Sequence, residues 1–346
     1  MLISRSGLIR GLAGLGVGAA LAPAAAQALP SLDATGRFAP DIALQGPLPW
    51  TQAPATGPAP LRFAVIGDHT GLARPGVFKQ GLKQVSWLQP DFILSVGDLI
   101  EGYLDDRQAI DRQWAEVDAA VASTGLPFIY TVGNHDVANA TTLDAWRERR
   151  GAGHYAFTYK GALFMVLNTE DTPTPMKPET LRQFYGMVEM MKADPEKAEK
   201  TIADHIAAGG SKGEYSNLEQ VNFGDRQLGF VRDTLAKYPN PRWTFVVLHK
   251  PAWKMQSPAF AQIQAMLKGR SYTVFAGHTH YFTHEVFDGA DYINMGTLGG
   301  IRQRNGPGTM DHAMLVTLTG TGPVFANQRI AGLMDLDGQT GQTLAY

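Results

Sequence analysis

The feature that most constrains this chain is a repeated order of short apolar runs, polar loops and amphipathic stretches between residues 61 and 136. "LRFAVIG" (61–67) is followed by "VFKQGLKQVSWL" (77–88), in which Phe78, Leu82 and Val85 recur at helical spacing. Pro90 stops that helix, and "DFILSVGD" (91–98) is the next apolar run. "AIDRQWAEVDAAVAS" (109–123) sets Ile110, Trp114, Val117 and Val121 on one helical face, and "LPFIYTVGNHD" (126–136) ends a third run in a polar loop. This βαβαβ order predicts an α/β layered core whose functional loops follow the carboxyl ends of the strands.

Beyond residue 150, "HYAFTYKGALFMVLNTED" (154–171) predicts a hairpin turning at Lys160-Gly161, and "RWTFVVLH" (242–249), "YTVFAGH" (272–278), "ADYINMG" (290–296) and "HAMLVTL" (312–318) predict further strands. A Met- and charge-rich segment from Thr174 to Asn222 carries helical stretches near 180–192 and 196–208 and reads as an insertion shaping access to a site. Its methionines suit helix packing better than metal ligation. Residues 29–60 are rich in Pro, Ala, Gly and Thr without periodicity, a linker or strap. The folded domain is expected over 61–335 and a tail over 336–346.

Five strand-ending loops carry chemistry-bearing residues: "GDHTG" (67–71), "GDLIE" (97–101), "GNHD" (133–136), "LHKP" (248–251) and "GHTH" (277–280). Each alone is a weak signal, since Gly-Asp and Gly-His pairs are common turns. Together, each after an apolar strand, they point to one composite site. The sequence holds no cysteine and nine histidines, so a metal would be held by imidazole, carboxylate or amide oxygen.

These blocks resemble the calcineurin-like metallophosphoesterase family over roughly residues 61–319, with "GNHD" and "GHTH" the most specific. The resemblance implies a four-layer αββα sandwich of two mixed β-sheets flanked by helices. It also implies a binuclear metal centre hydrolysing phosphate ester P–O bonds with water activated between the ions. Carried across, Asp98 would bridge both metals. Asn134, His249 and His278 would hold the second metal, and Asp68 and His280 the first. His135 would protonate the leaving oxygen or stabilise the transition state, with Asp136 orienting its imidazole. The mixed N/O ligand set suits two ions among Mn, Fe, Zn and Co.

One block departs from the family pattern. His69 follows Asp68 directly, and Thr70 stands where the family's histidine is expected. Side chains at i and i+2 of an extended segment share a face, so a continued strand would turn His69 away from the ion. Three outcomes stay open: a bend brings His69 in, the first metal has fewer protein ligands, or the first site is lost. The retained Asp68, Asp98 and His280 favour binding, weaker at the first site than at the second. Glu101 stands where the family has Asp and is expected to support its loop. Arg302 and Arg304, in "GTLGGIRQRNG", are candidates for a substrate phosphate, with surface arginines as the competing reading.

The N-terminus reads as an export signal over 1–28. Arg5 and Arg10 supply charge, "GLAGLGVGAALAP" a short apolar stretch, and "AAAQA" small residues for cleavage near Ala26 or Ala28. "SRSGLIR" matches the twin-arginine motif only in part, with Ser6 at the second arginine, so a general secretory or twin-arginine-like route is left undecided. A periplasmic or extracellular protein without a permanent membrane span is expected. The formal net charge of -2 and the isolated "RERR" (147–150) give no nucleic-acid footprint. The expected partner is a small-molecule or lipid-headgroup phosphate ester. The competing function is a non-catalytic metal- or phosphate-ligand-binding protein on the same fold with an impaired first site.

Overall fold

The computed structural model describes residues 36–207, 219–302 and 306–333. The export segment, part of the insertion, Arg304 and the C-terminal tail lie outside the described residues. Alternation along β2 (Leu61–Ile66) shows the layering directly. Phe63 and Val65 enter one core cluster and Ala64 and Ile66 another, all without solvent exposure, so both faces of the strand are covered.

β2 lies inside a five-stranded sheet with β3 (Phe92–Ser95), β4 (Phe128–Ile129), β11 (His312–Leu318) and β12 (Pro323–Arg329), ordered β12-β11-β2-β3-β4. Within it β2, β3 and β4 run parallel, while β11 is antiparallel to both neighbours. The second sheet has seven strands, in the order β1 (Ala39–Pro40), β5 (Tyr155–Tyr159), β6 (Ala162–Val166), β7 (Trp243–Val247), β8 (Tyr272–Ala276), β10 (Ala290–Asn294) and β9 (Thr283–Phe287). Its inner strands β6, β7, β8 and β10 are parallel.

Aromatic rings join the two sheets. Phe63 meets Phe245 and Phe164 at 4.9 and 5.2 Å between ring centroids, both edge to face, and Phe92 meets Phe157 at 6.0 Å. Outside the five-stranded sheet, α1 (Val77–Trp87), α2 (Arg107–Ala122) and α3 (Ala140–Arg150) bring Phe78, Leu82, Trp114 and Trp146 onto Ala64, Ile66 and Ile93. Outside the other, α6 (Asp225–Lys237) and α7 (Pro258–Leu267) lay Val231, Leu235, Phe260 and Ile263 on Leu163, Val246 and Val274. The result is the expected α/β four-layer αββα sandwich.

The β5–β6 hairpin turns at Lys160 (φ 46°) and Gly161 (φ 77°), and consecutive left-handed residues match the twist of antiparallel strands. Residues 36–60, expected as a linker or strap, are built into the body. β1 pairs with β5, Phe38 and Trp50 sit in the intersheet core, and the Tyr130 N–H donates to the Pro49 carbonyl at 2.9 Å. Arg149 and Arg150 of the basic run pair with Asp111 and Asp118 of α2, so the run braces two helices.

The segment expected as an insertion contributes α4 (Pro178–Ala193) and α5 (Pro195–Ala207), packed on each other. Met191 is fully buried against Ala198 and Ile301, with Met187 and Met190 alongside. Among the described residues no helix is long and apolar enough to cross a membrane.

Candidate metal centre

Parallel strands place their carboxyl ends on one side, so the loops after β2, β3, β7 and β8, with the loop after β4, can meet. Their turns are tight. Asp98, His278 and His280 all have positive φ (56°, 69° and 50°), a left-handed conformation that is uncommon outside glycine and that turns each chain sharply. A Cβ at Gly133 would lie 2.1 Å from Asp98 Oδ1, so only glycine lets the loop after β4 approach this carboxylate.

Asp98 is the centre of the arrangement. Its Oδ1 accepts the His135 N–H at 2.9 Å, and its Oδ2 lies 3.1 Å from His249 Nε2 and 3.9 Å from His135 Nε2. Asn134 Oδ1 lies 3.0 Å from the same His249 nitrogen. One possible ligand atom each from Asp98, His249 and His278 falls within 4.8 Å of the other two. Burial alone would raise the Asp98 carboxyl, but the His249 and His135 rings beside it hold it below the ordinary carboxylate range.

The tautomers follow from the backbone. His249 Nδ1 is 2.9 Å from the Val96 carbonyl and His280 Nδ1 is 2.7 Å from the Ile301 carbonyl, so each Nδ1 carries the proton and donates. Each Nε2 therefore turns a lone pair toward a carboxylate: His249 toward Asp98, and His280 toward Asp68 Oδ2 at 3.3 Å. Acceptors facing acceptors require a cation between them. Without one, a proton substitutes: burial works against charging His249, but Asp98 lifts it to about 9, and Asp68 likewise raises His280 against its burial. Asp68 Oδ1 is buried with no hydrogen-bond partner. Backbone carbonyls fixing the far nitrogen of a histidine are a recurrent feature of metal sites, and this donor set fits a cation among Asp98, His249 and His278, with Asp68 and His280 as a second carboxylate–imidazole pair beside it. Burial lowers His278, whose Nε2 is 3.7 Å from Glu219 Oε2.

The two halves of the site meet around Gly71 (φ 77°). A Cβ there would lie 2.9 Å from His280 Cε1 and 3.8 Å from His135 Nε2. The His69 and Thr70 N–H groups both donate to the Asp98 carbonyl, at 3.0 and 3.1 Å, which ties the loop after β2 to the centre. Glu101 locks that loop in place: its carboxylate accepts the N–H groups of Gly71, Leu72 and Ala73 at 3.2, 3.1 and 2.6 Å.

Two sequence expectations are corrected, and Arg302 pairs as its competing surface reading expects. The His69 ring stacks on Phe78 of α1 (4.1 Å, 15° between planes), where burial lowers it to about 4 and Nδ1 has no partner. It is not brought among Asp68, Asp98 and His280, because extended geometry through Asp68 turns the next side chain to the helix layer. Asp136 does not orient His135. Its Oδ2 accepts from Asp98 N and Gly133 N, both at 2.9 Å, and its Oδ1 from Leu99 N and Ile100 N at 2.9 and 3.3 Å. The His135 ring is held instead by the Glu101 carbonyl, 2.8 Å from Nδ1. Arg302, a candidate for substrate phosphate, directs Nη2 to Glu199 of α5 at 3.1 Å.

Tyr103 gave no signal in the sequence. Buried, with φ 62°, it accepts the Asn134 Nδ2–H at 2.8 Å, which fixes the amide so that Oδ1 faces His249. Its ring meets His135 edge to face at 4.9 Å.

The comparisons with known proteins agree with this layout. A calcineurin-like phosphoesterase family model matches residues 61–282. The chain is similar to serine/threonine-protein phosphatase CPPED1 of Pongo abelii (30% identity over 104 residues) and of Homo sapiens (29% over 104 residues). Those stretches are 28% of this chain, which spans only 32% of the length of either relative. A solved dimetal phosphatase from Danio rerio shares the fold, with a TM-score of 0.51 at 13% identity over 78% of this chain and 99% of that one. Because the matched span runs from β2 through the "GHTH" loop and takes in every loop that meets at Asp98, the chain belongs to the calcineurin-like phosphoesterase family.

Proposed function

We propose that this chain is an exported, two-metal phosphoesterase that hydrolyses a phosphate ester P–O bond. One observation carries the reading: Asp98 Oδ2, Asn134 Oδ1 and the lone-pair nitrogen of His249 converge in a buried site with only acceptors turned toward each other. Asp98, Asn134, His249 and His278 would hold one ion, and Asp68, Asp98 and His280 the other. When bound, such a pair neutralises phosphoryl charge and makes water a better nucleophile near neutral pH.

The protein's own part is positioning and proton delivery. His135 keeps its Nδ1–H on the Glu101 carbonyl, so Nε2 is the nitrogen free to face substrate. Protonated there, it gives that proton to the leaving oxygen as the P–O bond breaks, while water supplies the new oxygen on phosphorus. Mn, Fe, Zn and Co suit the ligands, and the substrate class is a small-molecule or lipid-headgroup ester. The placement of His69 favours unequal sites, with the first ion bound more weakly.

The test is hydrolysis of phosphate mono- and diesters by metal-stripped protein after restoring single metals, with His135→Ala as control. Activity that returns with metal and falls in the variant supports the reading. Folded protein inactive with every metal across a broad panel would leave a metal-binding protein without catalysis. Export is tested separately by the N-terminus of the protein recovered from producing cells: cleavage near Ala26 or Ala28 is expected, and an intact Met1 in the cytoplasm would refute it.

A further inference from the structure

We propose that Phe184, on the insertion's helix α4, is a positioning residue for His135, so that the insertion completes the acid side of the active site. The inference rests on the phosphoesterase reading above and deepens it.

The His135 imidazole has three neighbours that define its orientation. The Glu101 carbonyl fixes Nδ1, the Tyr103 ring meets it edge on at 4.9 Å, and the Phe184 ring lies against it at 5.6 Å with 54° between planes. The first two come from the loop after β3, part of the common body. Phe184 alone among them comes from the insertion, and it also touches Tyr103 at 6.4 Å. It is 8% exposed, so it is packed as a wall and is not left free in the cleft. A hydrogen bond at Nδ1 leaves the ring free to swing about that contact, and packing from two sides removes the freedom.

The insertion is fastened where this role needs it. The Tyr185 hydroxyl, next to Phe184, donates to the Gly102 carbonyl at 2.7 Å, one residue from Glu101. Gln113 of α2 bridges the same two residues, accepting the Gly102 N–H at 3.0 Å and donating to the Tyr185 oxygen at 3.1 Å. At the far end Glu199 of α5 pairs with Arg302 at 3.1 Å. These ties place α4 against the loop that carries the Glu101 carbonyl, so ring and carbonyl are held in one frame.

The role predicts a dependence on the leaving group. An alkoxide needs a proton as its P–O bond breaks, whereas p-nitrophenolate leaves unaided. Misplacing the acid therefore slows alkyl phosphates and spares aryl ones, whereas general damage to the fold or metal site slows both. We would measure kcat on p-nitrophenyl phosphate and on an alkyl phosphate for wild type, Phe184→Ala, Phe184→Leu and His135→Ala, with bound metal quantified for each. Phe184→Ala is expected to lose about 10- to 100-fold on the alkyl ester and no more than about 3-fold on the aryl ester, with unchanged metal content. Phe184→Leu, which keeps much of the apolar bulk and loses the planar face, should shift the ratio in the same direction and serves if the alanine variant does not fold. Equal losses on both esters, or none on either, overturn the proposal. If His135→Ala itself leaves the ratio unchanged, the acid role fails, and this inference falls with it.

Discussion

Replacing Asp136 by Asn tests the structure where it departs most from the sequence pattern. The side chain stays isosteric, but one carboxylate oxygen becomes an NH2. In the native protein Oδ1 accepts from Leu99 and Ile100 and Oδ2 from Asp98 and Gly133, all four N–H groups being buried. The amide can serve one pair and must turn donors toward the other. Two buried donors left unsatisfied cost ~1–3 kcal/mol each, so the loss should be about 2–6 kcal/mol, a large part of the ~5–15 kcal/mol that holds a typical domain folded. The assay is urea unfolding of metal-stripped protein followed by tryptophan fluorescence. It is run at pH 8, because burial and the neighbouring Asp98 raise this carboxyl above the ordinary carboxylate range. Metal removal matters because it separates loop clamping from any effect on bound ions. If Asp136 served only to orient the His135 ring, the variant would lose activity and keep its stability. A stability loss below about 1 kcal/mol would refute the clamp.

Two further predictions follow from single contacts. Tyr103→Phe removes the acceptor of the Asn134 amide at 2.8 Å and should weaken metal binding by about 10- to 100-fold in competition with a chelator, while the apo fold stays intact; unchanged affinity would contradict the role assigned to the hydroxyl. His312 is buried and lowered to about 4, with Nε2 accepting the Gly296 N–H and Nδ1 facing Asn327. An unfolded histidine binds its proton near pH 6.5, so between about 6.5 and 4 the unfolded chain holds more protons and stability falls as pH falls, by roughly 3 kcal/mol from this residue. His312→Asn should flatten that part of the stability profile relative to wild type, and an identical slope would exclude His312 as its source.

Much of the layered body could be read from residue order because both signals it uses are local. Buried strands such as Phe92–Ser95 are continuous apolar runs, and α2 carries Ile110, Trp114 and Val117 on one face. β9 and β12 escaped because they are half-exposed edge strands: Val286, Phe287 and Val324 stay largely in water, so no burial pattern marks them. α6 differs, since Leu228, Val231 and Leu235 do sit at helical spacing and the signal is present. The strap over 36–60 was compositionally a linker, yet two aromatics, Phe38 and Trp50, enter the intersheet core, and backbone pairing of β1 with β5 adds to the hold.

The site divides along the same line. Ligand-type residues announce themselves by strand-end position and chemistry. Their partners do not, because they act through backbone atoms or across long separations. The Val96, Glu101 and Ile301 carbonyls that fix three histidines have no sequence signature. Pairing Asp136 with His135 was what the family resemblance implied, whereas the fold places that carboxylate on the backbone of the loop after β3. The fate of His69 turned on which face of an extended segment continued past Asp68, and the ring went to Phe78.

The most direct test is anomalous diffraction from crystals of the full chain grown with Mn(II). The account predicts a strong peak enclosed by Asp98, Asn134, His249 and His278, and a second, weaker one beside Asp68 and His280. Crystals that show no peak within reach of the Asp98 carboxylate, from protein that retains its fold, would contradict it.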